Sequence, residues 1–332
     1  VPAGNVGVGV QADDFMKDSW NKLGVYDMEV SANGEKIFEL KMDRLSFDQS
    51  PLVNTIKDFH QYREGRYVYL AFGDCQSRLL GASNRQGGFI GVQKDSVVDV
   101  AIELLDINGN RSKVLFQLVG RQEAAGLDIP EGAEVLTCAR EYNLRNGNYS
   151  LCLEAGALAY PVICKPRVCS REKDSTGVVE VFSLTERVYP LLKSARLSVE
   201  GDFPDKSVFC LLEEKGRLSP LNTEWRTGGL EASTRVLGEY TIRQDTIAPV
   251  ILYTGVKGRR VQFRVFDDLS GIASYRVEVN GKWSLFTYDA KNRLLEGSLN
   301  EPVFVKGKNR LVLNVKDGVK NEAIFETDVY VK

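Results

Sequence analysis

Residues 261–281 read VQFRVFDDLSGIASYRVEVNG, and their pattern decides the fold class. Val261, Phe263 and Val265 alternate with other residues and run into Asp267-Asp268. Leu269-Ser270-Gly271 turns the chain into a second alternating run, Tyr275, Val277 and Val279, closed by Asn280-Gly281. Alternation with period two puts every second side chain on one face of a strand. Asn-Gly supplies the two positive-φ residues of a tight hairpin turn. The stretch therefore predicts a strand, a polar turn, a second strand and a hairpin.

The same construction recurs near the N-terminus. Val8, Val10 and Ala12 run into Asp14, and after an insertion at 15–23 residues 24–34 align with 271–281 without a gap. Val25 then matches Ile272, Met28 matches Tyr275, Val30 matches Val277, Ala32 matches Val279, and Asn33-Gly34 matches Asn280-Gly281. The two segments also end alike. Val100, Ile102 and Leu104 lead into Asp106 with Asn110 beyond it, as Leu311, Leu313 and Val315 lead into Asp317 with Asn321 beyond it. The return strands carry Val114, Phe116 and Leu118 in one copy and Phe325, Thr327 and Val329 in the other.

Matched strand pairs in the same order predict one β-sandwich plan used twice, and 332 residues call for more than one core. The expected architecture is all-β, with three tandem immunoglobulin-like sandwiches over residues 1–120, 121–246 and 247–332. The middle one has its own strand plan, and the third starts at Asp245-Thr246-Ile247-Ala248-Pro249. A long, partly helical insertion is expected in the first at about 46–96. Within it, 51–62 predicts a helix with Leu52, Ile56 and Phe59 near one face and Asn54-Thr55 as cap.

Charge and cysteine usage narrow the function. With 43 basic and 45 acidic residues and no long basic run, the chain lacks the concentrated positive face that nucleic acid requires. No apolar run approaches the length of a membrane span. Val1-Pro2-Ala3 is neither an initiator nor a signal peptide, and points to a piece of a longer protein. Of six cysteines, Cys164 could bridge to Cys169 or Cys152 in an oxidising compartment, or the thiols could be free and buried. His60 is the only histidine, which excludes any metal site needing two. A nucleophilic pair of His60 with Cys75 lacks a recognisable setting.

Three groups of residues are candidate sites. Asp267, Asp268 and Asp317 could share a calcium ion at one end of the third sandwich. The repeat gives Asp13-Asp14 the place of Asp267-Asp268, which favours a turn role, since aspartate accepts backbone N–H bonds there. Phe59, Tyr62, Arg63, Arg66, Tyr67 and Tyr69 of the insertion could form a contact surface. Trp225, Trp283, Tyr275 and Phe286, if exposed in a line, would form a stacking platform for sugars; Tyr275 is expected in the core.

The order VGVQADDF, LGVYDMEVSANGEKIFELKMDRLSFDQS, DTIAPVI and FRVFDDLSGIASYRVEVNGKW resembles the non-catalytic region following the peptidase domain in lysostaphin-type (LytM-like) zinc metallopeptidases of the bacterial cell envelope. The likeness is best at 8–118 and 220–330. It implies an exported parent, in the periplasm or envelope, that cleaves peptidoglycan cross-bridges with zinc held by H-x-x-x-D and H-x-H motifs. Neither motif is present, so no catalytic or metal role is carried over, and zinc belongs only to an absent peptidase domain. The first expectation is thus a non-catalytic spacer that positions or contacts the upstream peptidase domain or its peptidoglycan substrate. The alternative is a cell-surface adhesion or glycan-binding protein.

Overall fold

The computed structural model describes every residue except 17, 74–83, 85, 124–125, 127, 175–176, 214–215 and 332, and omits the side chains of 122–123 and of the strand residues between 171 and 179. Cys75 lies outside the described residues. Strand makes up 56% of the chain and helix 5%, so the all-β expectation holds. Three separate clusters of buried side chains form: one over 8–118, one over 136–240 and one over 261–329.

In the first unit a four-stranded sheet runs in the order Arg111–Val119, Val97–Leu105, Asp27–Ala32, Glu35–Lys41. Its inner residues Met28, Val30, Leu40, Val100 and Ile102 pack against Val8, Val10 and Tyr69 from shorter strands. The middle unit has two five-stranded sheets around Leu151, Phe182, Leu197, Phe209 and Tyr240. In the third, Val250–Lys257, Arg260–Phe266, Leu294–Ser298 and Phe286–Asp289 form one sheet. Glu322–Val331, Gly307–Asp317, Ile272–Val279 and Lys282–Trp283 form the other.

Pairing registers repeat residue for residue. Met28 faces Leu104, Val30 faces Ile102 and Ala32 faces Val100; at the matched positions Tyr275 faces Val315, Val277 faces Leu313 and Val279 faces Leu311. The return strands follow, Val114 on Ile102 as Phe325 is on Leu313. The hairpin asparagines agree as well. Asn33 and Asn280 have φ of 49° and 52°. Asn33 Oδ1 accepts from Asp99 N at 2.9 Å, and Asn280 Oδ1 from Arg310 N at 3.1 Å. A one-residue slip would turn each apolar row outward, so identical register means that both copies solve the same burial problem.

One expectation is corrected. No helix spans 51–62: a 3-10 helix covers Phe47–Thr55 and a short α-helix Phe59–Arg63. Between them Lys57 forms a β-bridge with Tyr69, which pulls the backbone out of helical geometry. The cap is Asp58, whose Oδ1 accepts from His60 N and Gln61 N. Of the two readings left open for the cysteines, the free thiol holds for Cys152, Cys164, Cys169 and Cys210, whereas Cys138 is disulfide-bonded. Cys164 points into the middle core and Cys210 is buried beside Phe209 and Leu211, and burial pushes each thiol up to about 12. They act there as small apolar side chains.

The units touch through few side chains. The 3-10 helix packs against Tyr189–Glu200 of the middle unit, and the His60 ring sits edge-on to Tyr189 with centroids 5.0 Å apart. Between the second and third units, Lys206 reaches Asn321 Oδ1.

Candidate functional site

Besides the long insertion at 46–96, the two copies differ at residues 13–23. In the third unit Asp267 Oδ2 accepts from Leu269 N at 3.0 Å and Gly271 N at 2.8 Å, and the chain turns at once. In the first unit the matching place holds a hairpin in which Asp14 pairs with Leu23 and Phe15 with Lys22. The turn role read for Asp13-Asp14 therefore does not carry across. Among the described residues Asp14 Oδ1 accepts only from Phe15 N. Asp13 forms an ion pair with Lys22 at 2.7 Å, and its Oδ1 is shielded from solvent without a hydrogen-bond partner.

This hairpin points apolar side chains outward. Trp20 is 97% exposed, with Met16 at 59%, Phe15 at 53% and Leu23 at 40%. Ser19 N donates to Met16 O at 3.1 Å and Asp18 takes φ of 62°, which close the tip. Solitary exposed apolar residues are ordinary, but four on one ten-residue excursion are not. The only advance signal is the insertion itself, since a surplus segment in one copy of a repeated plan is free of the scaffold's packing demands.

A second concentration of chemistry lies between the middle and third units. Carboxylate oxygens of Asp245, Asp267 and Asp317 lie within 4.8 Å of one another. Asp245 and Asp317 are 3% and 1% exposed. Of the expected calcium set the structure brings together Asp267 and Asp317, adds Asp245, and leaves Asp268 exposed outside the group. Turn formation accounts for much of the arrangement. Asp317 Oδ1 accepts from Val319 N and Asn321 N, and Asp245 accepts from Ile247 N and Ser270 N. Burial raises the Asp267 carboxyl above its ordinary value; the Leu269 and Gly271 amides oppose this, and the charges of Asp245 and Asp317 add to it. An all-oxygen, triply acidic set has the chemistry of a hard-cation ligand group.

The insertion residues do not form one surface. Tyr69 is core, its hydroxyl accepting from Val25 N at 3.1 Å. Tyr62 stacks edge-on against Tyr67 at 5.2 Å beneath the Lys57 ammonium, and Arg66 pairs with Glu64. Phe59 lies against His60, and Arg63 reaches over the Phe59 ring. Tyr62, Arg63 and Arg66 are exposed, while the neighbouring His60 turns to the middle unit.

The expected aromatic line breaks too. Phe286 is buried at 3%. Trp225 belongs to the middle unit on Thr223–Arg226, and Trp283 lies opposite Glu278 on an outer face of the third. Tyr275, expected in the core, is 37% exposed because it sits at the mouth of the sandwich, donating to Phe286 O at 3.1 Å and packing edge-on against Tyr288.

No family model and no curated protein matches the chain. A Bacteroides ovatus surface glycan-binding protein from a mixed-linkage glucan utilisation locus, solved with a heptasaccharide, aligns over 98% of this chain at 9% identity and a TM-score of 0.19. The chain spans 64% of that protein's length. A bacterial ice-binding adhesin aligns over 93% of this chain and 87% of its own, at 10% identity and a TM-score of 0.19. A calcium-stabilised ice-binding adhesin of an Antarctic bacterium aligns over 99% and 94%, at 10% identity and a TM-score of 0.17. The properties of those proteins stay with them.

Proposed function

We propose that this chain is a non-catalytic, exported β-sandwich protein of the cell surface that binds glycan through the hairpin at 14–23. One observation carries the reading: a scaffold built twice to the same register acquires, in one copy only, an excursion that holds Trp20 almost entirely in solvent. Exposed apolar surface costs about 25 cal/mol per Å² relative to covered surface. A sugar ring lying on the indole recovers that cost through its C–H face, while its hydroxyls are free to reach the Asp18 carboxylate at the tip. The disulfide at Cys138 supports export, because such bonds persist in oxidising compartments. No helix among the described residues is long and apolar enough to cross a membrane. The reading as a spacer following a peptidase has the sequence resemblance behind it and no comparable feature of the fold.

The test is retention of the purified chain on insoluble glycans, with peptidoglycan, chitin and β-glucan in parallel. The wild type is expected to be retained on at least one, and Trp20→Ala to lose retention while keeping the wild-type melting temperature. Absence of retention on all three, or equal retention of the variant, would overturn the assignment.

A further inference from the structure

The middle unit holds a groove that neither the hairpin nor the interdomain carboxylates involve. It measures about 470 Å³, within the range of small-ligand sites. Asp128, Lys165, Arg167, Glu186, Arg187 and Tyr189 line it. The walls are held by backbone. Arg167 pairs in register with Ser183, Lys165 N donates to Leu184 O at 3.0 Å, and Thr185 Oγ1 donates to Arg187 O at 2.7 Å. Lys165 is already engaged, its ammonium donating to Glu131 O.

The two arginines are not engaged. Among the described residues neither guanidinium makes an ion pair or a hydrogen bond, although acidic Glu186 and Asp128 line the same groove. The Tyr189 hydroxyl has no hydrogen-bond partner there either, while its ring is held edge-on by His60 and Tyr160. A guanidinium fork is shaped for a carboxylate. Carboxylates and a phenol, in turn, suit hydroxyl groups. Both signs in one groove call for a ligand that offers a carboxylate and hydroxyl donors side by side. They fit a ligand that carries one carboxylate per ring among several hydroxyls.

We propose that this groove binds uronic-acid saccharides, with Arg167 and Arg187 holding the sugar carboxylate and Glu186, Asp128 and the Tyr189 hydroxyl taking its hydroxyls. The site is independent of the hairpin and stands if glycan binding at Trp20 fails. Affinity electrophoresis of the intact chain through gels containing polygalacturonate, alginate or hyaluronan tests it, with methyl-esterified polygalacturonate as the uncharged control. Retardation is expected in at least one acidic gel, weakened by salt because the contact is ionic. Measured in the Trp20→Ala background, which removes any contribution of the hairpin, it should be weaker by at least about tenfold in apparent Kd on adding Arg167→Gln or Arg187→Gln, and absent when the carboxylates are esterified. Both arginines are exposed, so the variants are expected to fold, which an unaltered melting temperature checks. Failure of every acidic gel to retard the chain, equal retardation by esterified polymer, or wild-type behaviour of the double arginine variant would overturn the proposal.

Discussion

Asp106 and Asp317 hold the same turn in the two related sandwiches. Each aspartate N–H donates to the carbonyl of the asparagine four residues on, at 3.1 Å in both copies. Each carboxylate accepts that asparagine's backbone N–H, at 2.8 Å in the first copy and 2.7 Å in the third, and its side-chain amide as well. The surroundings differ. In the first copy Asn110 is exposed, and its side-chain hydrogen bond, with nearby backbone amides, lowers the Asp106 carboxyl below its ordinary value. In the third copy Asn321 is 6% exposed, and its amide also donates to Asp245 O and Ile247 O while its carbonyl accepts from Lys206 of the middle unit. A turn written by local sequence has become a joint between two sandwiches because of what packs beside it.

Removing the asparagine from each copy is the strongest way to break this comparison. Asn321→Ala leaves buried carbonyls and a carboxylate without their donor and is expected to cost about 2–3 kcal/mol. Asn110→Ala exposes the corresponding groups to water and should cost under about 1 kcal/mol. Urea unfolding of both variants measures the pair, and equal losses would show that the joint adds nothing to the turn.

The hairpin glycines should make the copies agree again. Gly34 and Gly281 have φ of +81° and +76°, and a Cβ at either would meet no atom within 4 Å. Only backbone strain remains, so Gly34→Ala and Gly281→Ala are each expected to cost about 1 kcal/mol or slightly more. Unequal values would mean that one hairpin carries a load the other does not.

Acid should separate the copies by sign. The folded carboxyl of Asp267 is raised, so the folded third unit holds the proton more tightly than the unfolded chain. In chelator-containing buffer its contribution to stability therefore grows as pH falls through that raised value, and is complete below the ordinary carboxylate range. Asp106 is lowered, so its contribution is full above the ordinary range and is lost as pH falls through its folded value. Asp267→Asn keeps an acceptor for the Leu269 and Gly271 amides. It should flatten the acid-side gain of the third unit in a pH series of hydrogen-exchange protection, without changing the first. The smallest effect on stability belongs to Trp20→Ala, within about 0.5 kcal/mol of wild type, since the side chain lies in solvent.

The fold was legible where local rules and burial agree. Alternation at 261–265 and 275–279, the Asn-Gly turns and the Asp-to-Asn turn spacing recur as strands, registers and hydrogen bonds, because each depends on neighbours a few residues away or on a row that must face inward. The predicted helix at 51–62 failed because a bridge from Lys57 to Tyr69 competes with helical hydrogen bonding, and such a contact leaves no periodic trace. The sites were less legible. Asp267 and Asp317 were named from strand ends, but Asp245 was missed because it enters from the preceding segment. Tyr69 and Phe286 were counted as contact candidates although a strand places them inside. Trp20 was passed over because an insertion shows its length in sequence but not its exposure.

Sequence by itself determined the class, the duplication and the turns of this protein, since period-two burial and positive-φ residues act over a few positions. Tertiary structure alone decided that one aspartate turn is a joint and its twin a surface loop. It also decided that four apolar side chains of one insertion stand in water, and that Arg167 and Arg187 share a groove. Those outcomes depend on which surfaces meet across long stretches of chain, and solvent access and charge proximity are properties of the packed whole.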